Sequence, residues 1–191
     1  MTVPPTEVVA TIAEAGSPVL RVTTVSERRP WLRRVTTPGD ARLGPWRFQA
    51  NHDVVDWTAY NRLAACLYLV LGNDGRVRYV GKTTARLRTR WPIAPAVDAE
   101  TGQQLSNQLF HTCWEAMEAE CAQSPALGFE VRAITEPELA QVILALGGEV
   151  GHLASAAKLA EDVESWILLR APPPWNKVRR RRAARSTPRP A

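Results

Sequence analysis

The sequence is short of several things, and each shortage excludes a class. No apolar run approaches the ~20 residues needed to span a bilayer, so a transmembrane protein is not expected. The first residues, M-T-V-P-P-T-E, lack the basic region and apolar core of a secretory signal. Cysteine is scarce, and Cys66, Cys113 and Cys121 show no disulfide spacing. An odd set of this kind fits reduced thiols in a cytoplasm, buried as small apolar groups. No internal repeat is visible. Histidine is equally sparse, and His111-x-Cys113 with Cys121 lacks a second cluster at zinc-ligand spacing. A phosphate-binding P-loop is missing as well. Gly81-Lys82-Thr83 has the ending of one, but the spacing needs a glycine where Arg76 stands.

Acid is missing from the end of the chain. Residues 177–191 hold Lys177 and six arginines with no Asp or Glu, a charge of +7. The whole chain is only +5, so residues 1–176 sum to −2. The basic character therefore belongs to the tail, which reads as a disordered arm for nucleic acid or another acidic surface. A merely solubilising terminus is the plainer alternative.

What is present includes an apolar fraction of 45%, enough for a globular core. Residues 6–15 fit a short helix and 19–25 a strand. Arg28, Arg29, Arg33 and Arg34 flank Trp31, which suits phosphate contact with stacking, or a loop with Trp31 docked on the core. Residues 38–50 read as irregular. Residues 53–65 read as a helix, with Asp53 or Asp56 near its start. A helix is expected over 103–121, a half-buried strand over 128–134, a helix over 136–146 closed by Gly147-Gly148, and a last helix over 152–170. Leu159, Val163, Trp166 and Ile167 form the apolar stripe of that last helix. Measured from Leu159, Glu164 falls at about 140°, on the stripe's margin, and Glu161 at about 200°, in solvent.

The informative stretch is Leu67 to Trp91. Two apolar runs, 66–71 and 77–80, enclose Gly72-Asn73-Asp74-Gly75, a turn signal, so a β-hairpin is expected. Each strand carries a tyrosine, Tyr68 and Tyr79. Alone, such a pair would be cross-strand aromatic packing. Here Lys82 and an arginine row, Arg86, Arg88 and Arg90, follow directly. Two phenols beside that row suit a bound phosphate.

Taken in order, these pieces resemble the GIY-YIG nuclease family. Leu67-Tyr68-Leu69 stands for the first motif and Tyr79-Val80-Gly81 for the second, their tyrosines eleven apart. Lys82, Thr83, Leu87 and Arg90 follow, with Arg86 the alternative catalytic arginine. Glu164, Leu168, Pro173 or Pro174, Trp175 and Asn176 resemble the late pattern. Cys66 and Leu67 depart from the first motif. The histidine or tyrosine usual one turn after the arginine is absent; His111 is a candidate to supply it.

The resemblance implies an α/β (α+β) fold with a small mixed three-stranded sheet, started by the hairpin and flanked by helices. The nuclease domain would span 61–176, after an N-terminal extension, 1–60, that is a candidate DNA-contacting lobe. It also implies a Mg²⁺- or Mn²⁺-dependent DNA endonuclease. Glu164 would hold the metal, Arg90 would face the developing oxyanion, and Tyr68 would orient or deprotonate the attacking water. Tyr79 would position water or phosphate, Lys82 would supply charge to the phenols, and Asn176 would hold local geometry. Arg28, Arg29, Arg33, Arg34, Arg86, Arg88 and the tail arginines Arg179, Arg180, Arg181 and Arg182 would grip the DNA backbone. A restriction-type member would have a methyltransferase partner. The alternative is a nucleic-acid-binding protein of the same fold without catalysis.

Overall fold

The computed structural model describes residues 3–28, 31–34, 41–43, 48–98, 100–104, 107–123 and 128–176. Its frame is one antiparallel sheet. In chain order the strands are β1 (Ser17–Arg28), β2 (Trp31–Arg34), β3 (Ala41–Leu43), β4 (Phe48–Val54), β5 (Cys66–Gly72), β6 (Val77–Thr83), β7 (Ile93–Ala94), β8 (Ala96–Asp98), β9 (Gln108–Leu109) and β10 (Gly128–Thr135). The main sheet runs β4-β1-β10-β5-β6, while β3-β2-β8 and β7-β9 form two small accessory sheets. The helices are α1 (Pro5–Ala15), α2 (Trp57–Asn61), α3 (Trp114–Gln123), α4 (Glu136–Leu146), α5 (Gly148–Gly151) and α6 (Leu159–Arg170). No helix among the described residues is long and apolar enough to cross a membrane.

The expected α/β class holds, but the sheet is larger than three strands and purely antiparallel. β1 and β4, both from the first 60 residues, pair with each other, and β1 also pairs with β10. The segment expected to be an extension thus supplies two strands of the main sheet. The β-branched stretch Val19-Leu20-Arg21-Val22-Thr23 makes β1 a strand buried on one face, with Leu20 and Val22 against the core.

Every residue of β5 is buried, as a strand covered on both faces must be. One layer packs Leu67, Leu69 and Val80 against α1, α4 and α6, through Ile12, Leu139, Val163 and Ile167. The other packs Tyr68, Val70, Phe129 and Val131 against Trp91, Trp114 and Met117. Each fully buried Leu, Ile or Val contributes roughly 1.5–3 kcal/mol, which holds α1 and α6 to the sheet.

Several expected boundaries moved. The helix expected over 53–65 is only α2, because the ladder keeps Asp53 and Val54 in β4 and Asp56 caps the helix, accepting from the Ala59 N–H at 2.9 Å. The helix expected over 103–121 starts at Trp114; Gln108 and Leu109 pair with β7 instead. The segment 83–91 contains a short 3-10 turn, Leu87–Thr89. The last helix starts at Leu159, where Glu136 accepts from the Ala160 N–H at 3.0 Å and ties α6 to α4. Before it stand α5 and a 3-10 turn, His152–Ser155, broken at the extended residue Ala156. The stretch expected to be irregular, 38–50, holds β3 and the start of β4. α4 matches its expected bounds and ends at Gly147 and Gly148, both at positive φ. All three cysteines are free and buried.

Candidate active site

The hairpin β5–β6 places the two tyrosines. Its turn is closed by Gly75 N–H to Gly72 C=O at 2.9 Å, and Gly75 alone in the turn takes positive φ, 74°. A bulge then makes Arg78 the extra residue: Leu71 faces Val77, but Val70 faces Tyr79. Val77 therefore points into the helical layer while Tyr79 joins Tyr68 on the opposite face. Tyr68 lies opposite Gly81, and the two phenol rings stack with centroids 6.2 Å apart. A Cβ on Gly81 would sit 2.5 Å from the Tyr68 ring and hydroxyl. The Tyr68 ring occupies the space that any side chain at 81 would need.

His111 completes the cluster from the turn before α3. Its ring stacks on Trp91, centroids 3.8 Å apart and planes 7° apart. The Cys113 N–H points at His111 Nδ1 (3.2 Å), and the Cys113 thiol lies 3.0 Å from the same nitrogen. A backbone N–H can only donate, so Nδ1 is the acceptor and Nε2 carries the ring proton. That Nε2–H donates to the Tyr68 hydroxyl, 3.2 Å away. The Tyr68 and Tyr79 hydroxyls act on each other, and Thr112 acts on Tyr79.

Burial sets the protonation states. It pushes the His111 pKa down to about 3, with the positive Arg90 adding to the effect, so the imidazole is neutral. Burial pushes the Tyr68 phenol well above its ordinary range, and the neighbouring Tyr79 adds to this; Arg90 opposes the rise but does not reverse it. Tyr79 is raised by burial too, with a smaller push from the negative Glu164. Tyr68 is 3% exposed, whereas Tyr79 is half-buried. Of the two, Tyr79 is the more exposed.

Arg90 is exposed and acts electrostatically on both Tyr68 and His111. Arg86 instead donates to the Asn61 carbonyl at 3.0 Å, beside α2. Of the two candidate arginines, Arg90 is the one beside the tyrosines. Glu164 is half-buried on the margin of α6, next to Tyr79, where the helical wheel placed it.

Lys82 is placed elsewhere. On β6 it alternates with Gly81 and faces the helical layer, where it pairs with Glu161. That pair also holds the Glu161 carboxyl below its usual range. The charge expected for the phenols is thus on the far side of the sheet, and Glu161 is ion-paired where a free solvated acid was expected.

Asn176 clamps the edge strand. Its Oδ1 accepts from the Val80 N–H (2.9 Å) and its Nδ2 donates to the Val80 carbonyl (2.8 Å). Trp175 adds an N–H to Arg78 C=O bond at 2.9 Å, and its indole N–H donates to Glu120. Residues 175–176 occupy the open edge of β6 as a further strand would.

Arg29 and Arg179, Arg180, Arg181 and Arg182 lie outside the described residues, as do the side chains of Arg28, Arg33 and Arg34. No group of three or more His, Cys, Asp or Glu side chains suited to hold a metal occurs among the described residues. No protein-family model, no curated protein and no solved structure matches the chain. Sequence reasoning missed the Trp91–His111 stack and the part played by Cys113. The H-x-C spacing was visible, but nothing local shows that residue 91 meets residue 111.

Proposed function

We propose that the chain is a metal-dependent DNA endonuclease of the GIY-YIG type. The observation that carries this reading is the meeting of Tyr68, Tyr79, Arg90, His111 and Glu164 at one edge of the sheet, from four separate segments of the chain. Such a set offers a cation, a hydroxyl donor and a carboxylate, the three groups that phosphodiester hydrolysis uses.

A carboxylate beside a hydroxyl fits Mg²⁺, which keeps several waters and takes one or two protein carboxylates. Glu164 would hold it, and the ion when bound would neutralise charge on the phosphate and its leaving oxygen. Arg90 faces the phosphate and stabilises charge on its equatorial oxygens. Tyr79 uses its hydroxyl to orient the phosphate or the attacking water. Tyr68 is a positioning residue in this scheme, because its buried phenol holds its proton and passes orientation from His111 to Tyr79. That reassigns the water-handling role from Tyr68 to Tyr79. Asn176 fixes the strand that carries Tyr79.

Plasmid nicking with Mg²⁺ or Mn²⁺ tests the scheme. Glu164→Ala and Arg90→Ala should each lower the rate about 10²–10³-fold. Tyr79→Phe should cost more than Tyr68→Phe; the reverse order would return the water-handling role to Tyr68. A Glu164→Ala variant that cuts like wild type defeats the metal assignment. Wild-type protein that binds DNA yet nicks under no divalent ion leaves a binding protein of the same fold.

A further inference from the structure

The surface beside Arg90 carries a feature that the nicking scheme does not use. α2 begins with Trp57, which is 59% exposed, whereas Trp91 and Trp114 are buried and Trp166 and Trp175 are partly so. Leu63, two residues past α2, is 68% exposed and bridges to Arg86. Asn61 ties the group together: its amide donates to the Trp57 carbonyl, its own carbonyl accepts from Arg86, and its Oδ1 accepts from Arg88 at 3.3 Å. The Tyr60 hydroxyl donates to the Trp91 carbonyl and anchors α2 against the segment that bears Arg90. The exposed indole and the arginines are therefore held on one rigid support.

Most of the other described cations are ion-paired. Arg21, Arg76, Arg78, Lys82, Arg132 and Arg170 each pair with a carboxylate. Arg86, Arg88 and Arg90 have no carboxylate partner among the described residues. The acid on α2, Asp56, is engaged as the helix cap. Unpaired guanidinium groups beside an exposed aromatic ring combine phosphate contact with base stacking. Bases in intact duplex are stacked on both faces, so the exposed ring can be used only by a base that lacks a partner.

The geometry points to Trp57 and Leu63 as a stacking platform for an unpaired base of DNA, with Arg86 and Arg88 holding the adjoining phosphates. The inference rests on the nuclease reading and narrows its substrate to DNA with a single-stranded or gapped segment beside the cut. Arg90 belongs to the same short turn, so the platform delivers the neighbouring phosphate to the tyrosines.

Binding without cutting tests this. Fluorescein-labelled oligothymidine and a blunt duplex of equal length are titrated in EDTA. Trp57→Ala should weaken oligothymidine binding about 5- to 150-fold while duplex binding changes less than about twofold. Trp57→Phe should retain most of the affinity. Arg88→Ala should weaken both probes and lower the salt slope by about 0.7–0.9. Wild-type tryptophan emission should be quenched by oligothymidine, and Trp57→Phe should lose that quench. The platform is overturned if Trp57→Ala binds oligothymidine like wild type, or if both probes weaken equally. A chain that binds as expected but nicks nothing loses the nuclease reading and keeps the platform. A chain that nicks normally with Trp57→Ala binding unchanged loses the platform alone.

Discussion

Gly81 shows how one missing side chain shapes the site. The Tyr68 ring lies directly over it, and even a methyl group would come within 2.5 Å of the ring atoms. Gly81→Ala must therefore push the ring out or spread β5 from β6, because the Tyr68 ring is buried and packed against Tyr79, Trp91 and His111. Off-rotamer or overpacked arrangements typically cost about 1–3 kcal/mol. Thermal or denaturant unfolding of Gly81→Ala should show a loss of that size. The hydrogen bond from His111 to Tyr68 should be lost with it, read as a shift of the His111 ring resonances. An unchanged His111 environment in Gly81→Ala would refute the account. The same reasoning explains why a tyrosine on one strand and a glycine on the next form a unit: the pairing register sets them opposite each other.

At the scale of elements, β6 is an edge strand made usable by the segment that follows α6. Asn176 makes two bonds to Val80, each worth about 0.5–1.5 kcal/mol. Asn176→Ala should lower stability by roughly 1–3 kcal/mol and raise amide hydrogen exchange along β6 selectively. Equal exchange along β6 in variant and wild type would show that the clasp holds nothing. The hairpin, α4 and the margin position of Glu164 were legible because their signals are local: a Gly-Asn-Asp-Gly turn, a Pro and a Gly pair at the helix ends, and a 3.6-residue stripe. The early end of α2 and the late start of α3 and α6 were not. Their boundaries are decided by partners far along the chain, such as Arg21 opposite Asp53, β7 opposite β9, and Glu136 at the Ala160 N–H. Lys82 was misplaced for a related reason: its neighbours in sequence share a motif, but a strand sends adjacent side chains to opposite faces.

For the whole molecule, β1 decides what can stand alone. It lies between β4 and β10, and its removal would expose the backbone edge of β10 together with Phe129 and Val131. α1 buries Val8, Val9 and Ile12 in the helical layer and would be lost with it. A fragment of residues 61–176 should therefore lack a cooperative melting transition, while the full chain shows one; a sharp transition in the fragment would restore the autonomous domain that the sequence implied. The first 60 residues read as an extension because strand pairing between distant segments leaves little trace in composition.

The site is assembled from pieces that leave the ribosome at different times. Tyr68, Tyr79 and Arg90 emerge first, while Glu164 and the Asn176 clasp come much later. At ordinary rates of synthesis the two sets are separated by roughly 4–15 s. On the proposed nuclease reading, a nascent chain would be harmless to the nucleic acid around it until nearly all of its described fold has been made. On that reading, premature termination anywhere between the two sets would yield an inert fragment, so errors of translation would fail safe.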